Sequence, residues 1–172
     1  MSRIEELKRS FSKTVEKEVE EWSIIPPDER PMSFAIVVSM GLIILYFGAH
    51  QMLSTGFFTA SFGIFEMIML YGSLFAWIVT AALMLAGLKG PSRDFDAFGG
   101  LLFAGVSIAW ILVVFPFDFA LFADVLPVFL RFLMQWISNE VAWVLMMLSI
   151  VVNLCFAIYS LVLRVSVRKA HG

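Results

Sequence analysis

The chain has 172 residues, 60% of them hydrophobic, with a mean hydropathy of +0.90 and a formal net charge of -2. That apolar excess lies outside soluble usage and excludes an ordinary water-soluble fold. The charge balance gives no ground for nucleic-acid binding, and Cys155, the one cysteine, has no partner for a disulfide within the chain.

Residues 1–32 are expected to be a cytoplasmic amphipathic helix and a Pro-rich linker. Ser2 followed by Glu5 resembles a capping box, and Ile4, Leu7, Phe11, Val15 and Trp22 recur near helical spacing over residues 2–22. Pro26, Pro27 and Pro31 then end that helix. Its face suits a protein partner or a second copy of the chain better than a lipid surface. Glu16, Glu18, Glu20 and Glu21 would be repelled by an anionic inner leaflet.

A helix needs roughly 20 apolar residues to cross the hydrocarbon core, and only helices and closed barrels satisfy their backbone polar groups there. Four stretches qualify as helices within residues 33–163: 33–53, 67–88, 98–121 and 141–163. Strand-like alternation is absent, so the sequence predicts an all-α integral membrane protein whose four transmembrane helices form an antiparallel bundle. Short punctuated connections favour antiparallel neighbours: Ser54, Thr55 and Gly56 after the first span, and Gly90, Pro91 and Ser92 after the second.

Between the third and fourth spans, residues 124–138 are predicted as an outer interfacial helix, with Pro127 in its first turn and Arg131 and Gln135 on a polar edge. Residues 164–172 form a basic tail. Of the 12 Lys and Arg residues, all but Arg131 fall in the N-terminal tail, the loop after the second span or the C-terminal tail. This places both termini in the cytoplasm of a multi-pass protein of the cell membrane.

Polar residues are then sorted by depth. With a rise of about 1.5 Å per residue from the cytoplasmic end of each span, Glu66 and Asp118 fall roughly 31 and 30 Å up, and His50 roughly 25 Å. One reading leaves Glu66 and Asp118 to headgroups and water, with His50 merely ending its span. In the other, His50, Glu66 and Asp118 form an outer polar site, and a histidine with two carboxylates suits zinc or another divalent ion. The sequence leaves any metal unidentified and implies no cofactor. Asn153 is the strongly polar side chain nearest the bilayer centre, and an indole N–H from Trp77 or Trp110 is expected to meet it. Gly72, Ala76 and Thr80, with Gly100, Ala104, Gly105 and Ala109, supply small faces for a tight hairpin of the second and third spans, or for a contact between copies.

No nucleophile with a nearby base, phosphate-binding Gly-rich loop or paired intramembrane carboxylates supports catalysis. The sequence therefore points away from an enzyme. It points to a membrane subunit or scaffold working through helix packing and a cytoplasmic docking helix. The alternative is a small cation or proton transporter or channel with an outer vestibule lined by His50, Glu66 and Asp118.

Overall fold

In a computed structural model, residues 3–20 and 30–171 are described. Ser2, Trp22, Pro26 and Pro27, which enter the expected N-terminal capping box, stripe and linker, lie outside them. Among the described residues six α-helices follow in order: α1 Arg3–Glu20, α2 Arg30–Met52, α3 Ile64–Leu85, α4 Lys89–Phe98, α5 Gly100–Val114 and α6 Asn139–His171. Three of these, α2, α3 and α6, are long and apolar enough to cross a membrane. A fourth crossing is available if α4 and α5, bent by 41° at their junction, act as one span.

The boundaries follow from local chemistry. Pro31 sits in the first turn of α2, where a missing N–H breaks no helical bond. α3 ends in a Schellman motif: Gly87 takes φ +83, and Leu88 N–H and Gly87 N–H bond the Leu83 and Met84 carbonyls at 2.8 and 3.1 Å. Gly90, Pro91 and Ser92, expected as a loop, instead open α4. Pro91 is tolerated there for the same reason as Pro31, so a Gly-Pro-Ser signal reads equally as a turn or as a helix start.

The helix expected over 98–121 is shorter: α5 starts at Gly100, after the separate helix α4, and stops at Val114 because Pro116 offers no N–H and crowds the preceding residue. The predicted interfacial helix 124–138 is likewise replaced, by two 3-10 segments, Phe119–Val125 and Val128–Leu133. Pro127 lies between them and would interrupt any continuous α-helical ladder. Arg131 takes over the freed acceptors, donating from Nε to Leu126 O at 3.2 Å and from Nη2 to Asp124 O at 3.3 Å. Its Nη1 also pairs with the Asp124 carboxylate at 3.1 Å.

α3 packs on α2 and α5, α5 on α6, and α4 on α3, α5 and α6, while α1 lies against α6. Over the described residues α2 does not pack on α6. Large apolar side chains such as Phe34, Leu45, Val113 and Phe156 stay exposed on the outward faces of these helices, as lipid contact requires.

At one end the chain closes over itself, where the 53–63 and 115–138 connections meet. Thr59 N–H bonds Pro116 O, and Asp118 N–H bonds Phe57 O, each at 2.7 Å, making a single antiparallel bridge between Phe58 and Phe117. Phe57, fully buried, packs among Phe47, Phe117, Phe119 and Phe122. Aromatic rings in such offset and edge contacts hold this cap together beyond their simple burial.

Candidate functional site

At the capped end, the three residues of the expected outer site are engaged separately. His50 is buried. Its Nδ1 meets Thr55 Oγ1 at 2.6 Å, and its Nε2 meets the Phe122 carbonyl at 2.8 Å. A carbonyl only accepts, so Nε2 carries the proton and the Thr55 hydroxyl donates to Nδ1. Glu66 is at the start of α3, where Oε2 accepts the Gly63 N–H at 2.9 Å. Asp118 caps the first 3-10 segment, its Oδ1 accepting the Ala120 N–H at 3.1 Å. Among the described residues no group of three or more His, Cys, Asp or Glu side chains is placed to hold a metal ion. Glu66 and Asp118 thus finish a helix and a turn, and His50 ties the end of α2 to the 115–138 connection.

Midway along the helices, Asn153 is buried, with Oδ1 accepting the Trp77 indole N–H at 3.1 Å and Nδ2 donating to Ser149 O at 2.8 Å. Trp110 is elsewhere. Because α5 ends at Val114, Trp110 lies one turn from that end, half-exposed and edge-on to Phe65. The small residues divide among several contacts. A Cβ on Gly72 would meet Phe103 at 2.8 Å, one on Gly100 would collide with the Phe95 ring, and one on Gly105 would touch Leu154 of α6 at 3.2 Å. Ala76 and Ala104 are buried, and Ala109 is half-buried. Gly105 thus serves α5–α6 packing rather than a hairpin with α3.

The polar chemistry collects at the opposite end. Lys89, Ser92, Arg93 and Asp96 recur at i, i+3, i+4 and i+7 along α4, so they share one face. Lys89 and Ser92 are buried, whereas Phe98 on the other side is exposed. The helix turns its polar face inward, the reverse of a helix on a soluble protein and the arrangement expected when the outside is lipid.

That face borders a cavity of about 410 Å³ between α2, α3, α4 and α6. Thr80 Oγ1 lies 2.5 Å from Asp96 Oδ1 and 3.2 Å from Ala76 O. With one hydroxyl proton to give, Thr80 donates over the shorter path to the carboxylate, and Ser92 Oγ donates to Thr80 O at 3.1 Å. Arg93 and Asp96 present opposite charges on one wall, while Met32, Ile36, Met84, Leu101 and Phe156 make the apolar walls. Trp77, Tyr159 and Ser160 also line it.

Two cations of α6 fix α4 from outside the cavity. Arg164 Nε pairs with Asp94 Oδ1 at 2.5 Å, and the Arg168 guanidinium lies 5.8 Å from the Phe98 ring centroid.

Sequence reasoning missed Asp96, Arg93 and Tyr159 because Lys89 and Arg93 were read only as loop charges that orient the chain. The signal was available in the helical spacing of Lys89, Ser92, Arg93 and Asp96, opposed by Pro91, Phe95 and Phe98. Compared with family models, with curated proteins and with solved structures, the chain matches none.

Proposed function

We propose that this chain is a non-enzymatic integral membrane subunit of the cell membrane, crossing the bilayer four times as an antiparallel bundle with both termini in the cytoplasm. It works by binding. The bent pair α4–α5 is one crossing, and α1 is a cytoplasmic docking helix through which the chain joins a second copy or a protein partner.

The observation that carries this reading is the surface of α1. Ile4, Leu7 and Phe11 share one face and remain exposed, although α1 already lies against α6. Exposed apolar side chains aligned on one helix face suit a partner helix. The polar groups at the capped end support a structural role there, since Glu66 and Asp118 each complete a local turn or helix and His50 ties α2 to the Phe122 carbonyl.

Two measurements test the reading. In a Cys155→Ser background, Lys8→Cys and Lys169→Cys are expected to resist a membrane-impermeant thiol reagent in intact cells, while Val128→Cys reacts. Opposite behaviour of the two terminal positions overturns the topology. Native mass measurement in mild detergent is expected to give a multiple of the 19.4 kDa chain or a defined larger complex. An Ile4→Asp, Leu7→Asp double variant should return the monomer. A wild-type protein found only as a monomer ends the subunit reading.

A further inference from the structure

The cavity beside α4 has walls that discriminate between occupants. At about 410 Å³ it falls within the range of about 300–1,000 Å³ typical of small-molecule sites. Its mouth is unusual. α2 supplies Met32, Ser33 and Ile36 on one side and α6 supplies Phe156, Tyr159 and Ser160 on the other, yet these two helices do not pack together over the described residues. The gap between them therefore opens sideways, between two helices whose outer faces are apolar.

A bare metal cation fits poorly, because it would gain from Asp96 and lose to Arg93 and would leave the apolar walls without contact. A purely apolar guest would strand a carboxylate and a guanidinium away from water. The lining matches a molecule that carries both signs of charge at one end and hydrocarbon at the other.

We propose that this cavity holds the headgroup of a zwitterionic phospholipid with a primary ammonium, such as phosphatidylethanolamine, entering between α2 and α6. Its ammonium donates to the Asp96 carboxylate, whose Oδ1 is oriented by Thr80. Its phosphate accepts from Arg93, whose guanidinium has five N–H donors and can serve a phosphate while keeping contacts within the protein. The first acyl carbons rest on Ile36, Met84 and Phe156. A choline headgroup has no N–H for Asp96, and a glycerol headgroup has no cation, so neither meets the wall equally well. The inference rests on the membrane-crossing reading above.

The test uses the full-length protein in mild detergent, with phosphatidylethanolamine, phosphatidylcholine, phosphatidylglycerol or free phosphoethanolamine added. Thermal melting and retained lipid by native mass measurement are read together. Phosphatidylethanolamine is expected to raise the melting temperature most and to stay bound, and free phosphoethanolamine to do neither. Asp96→Asn should weaken its retention about tenfold or more, the loss expected for a charge-assisted hydrogen bond. Ile36→Trp, which fills the apolar part and leaves both charges, should abolish retention even if the Asp96 variant does not fold.

Equal shifts for all three lipids, or unchanged selectivity in either folded variant, overturn the proposal. A shift reproduced by free phosphoethanolamine also overturns it and assigns the site to a soluble zwitterion. Lost selectivity with the expected thiol-labelling pattern removes this site alone, whereas a failed labelling pattern removes the crossing itself.

Discussion

The indole of Trp77 on α3 donates to Asn153 Oδ1 on α6 at 3.1 Å, joining two helices that α5 otherwise separates. Asn153 uses its amide as well, donating to Ser149 O at 2.8 Å within its own helix. Trp77→Phe leaves Oδ1 without this donor, and Asn153→Leu leaves the indole without its acceptor. Interhelical bonds of this kind are worth about 0.6 kcal/mol on average and up to about 1.7. Each single variant should therefore melt a few degrees lower in detergent, and the double variant should melt higher than the sum of the two losses requires. Strict additivity of the two losses would show that the bond contributes nothing.

Gly100 lies under the Phe95 ring, which occupies the space a Cβ would need. Small residues at helix contacts usually let two backbones approach, but here the glycine lets a side chain of α4 fold across the bend into α5. Gly100→Ala should cost about 1–3 kcal/mol as the ring is displaced. Phe95→Ala in the same chain should recover part of that loss, because the clash has a single source. A destabilised Gly100→Ala protein that gains nothing from Phe95→Ala would place the strain in the backbone instead.

The contrast between α3 and α4 explains how much of this architecture is legible in sequence. α3 is an apolar run of membrane-spanning length, and a length criterion finds it within a few residues, as Ile64–Leu85 against the expected 67–88. α4 is only 10 residues long and carries four charged residues, so neither hydropathy nor length selects it. Its meaning lies in which side of the helix the charges occupy. The capped end was obscure for a different reason: Pro127 and Arg131 together exchange an α-helical ladder for 3-10 segments and side-chain bonds, and amphipathic spacing cannot distinguish these alternatives. For the candidate site, polar residue types were visible, but His50, Glu66 and Asp118 lie at helix and turn ends, where capping competes with ligand binding.

Asp94 and Arg164 join α4 to α6, with the carboxylate side chain 40% exposed and the guanidinium side chain 12% exposed. Partial exposure lowers the value of the pair, while removing Asp94 alone leaves a mostly buried cation facing the loss. Asp94→Asn is therefore expected to cost about 1–2 kcal/mol, at or above the top of the range for freely exposed pairs and below that for fully buried ones. The exchange Asp94→Arg with Arg164→Asp should restore part of the stability. Failure of the exchange, with each single variant destabilised, would mean that other groups around Arg164 dominate its environment.

His50 provides the sharpest separation between a structural and a ligand-binding role at the capped end. Its ring is buried and both nitrogens are committed, Nε2 to the Phe122 carbonyl and Nδ1 to the Thr55 hydroxyl. The same carbonyl also accepts the Tyr46 hydroxyl at 2.5 Å, so its two lone pairs are both used. Thr55→Val removes the donor to Nδ1 and strands that nitrogen among aromatic rings, at a cost of about 1–3 kcal/mol. His50→Phe keeps the Tyr46 bond and the aromatic packing, so its loss should be of similar size rather than the sum of two bonds. His50→Phe should make the 115–138 connection more susceptible to limited proteolysis than Thr55→Val does, because only His50→Phe removes the bond from Nε2 to Phe122 that ties that connection to α2. Added zinc is expected to leave the melting curve of the wild-type protein unchanged, since binding would require breaking a bond that holds the cap. A zinc-dependent rise in stability that disappears in His50→Phe would replace this structural role with a metal site.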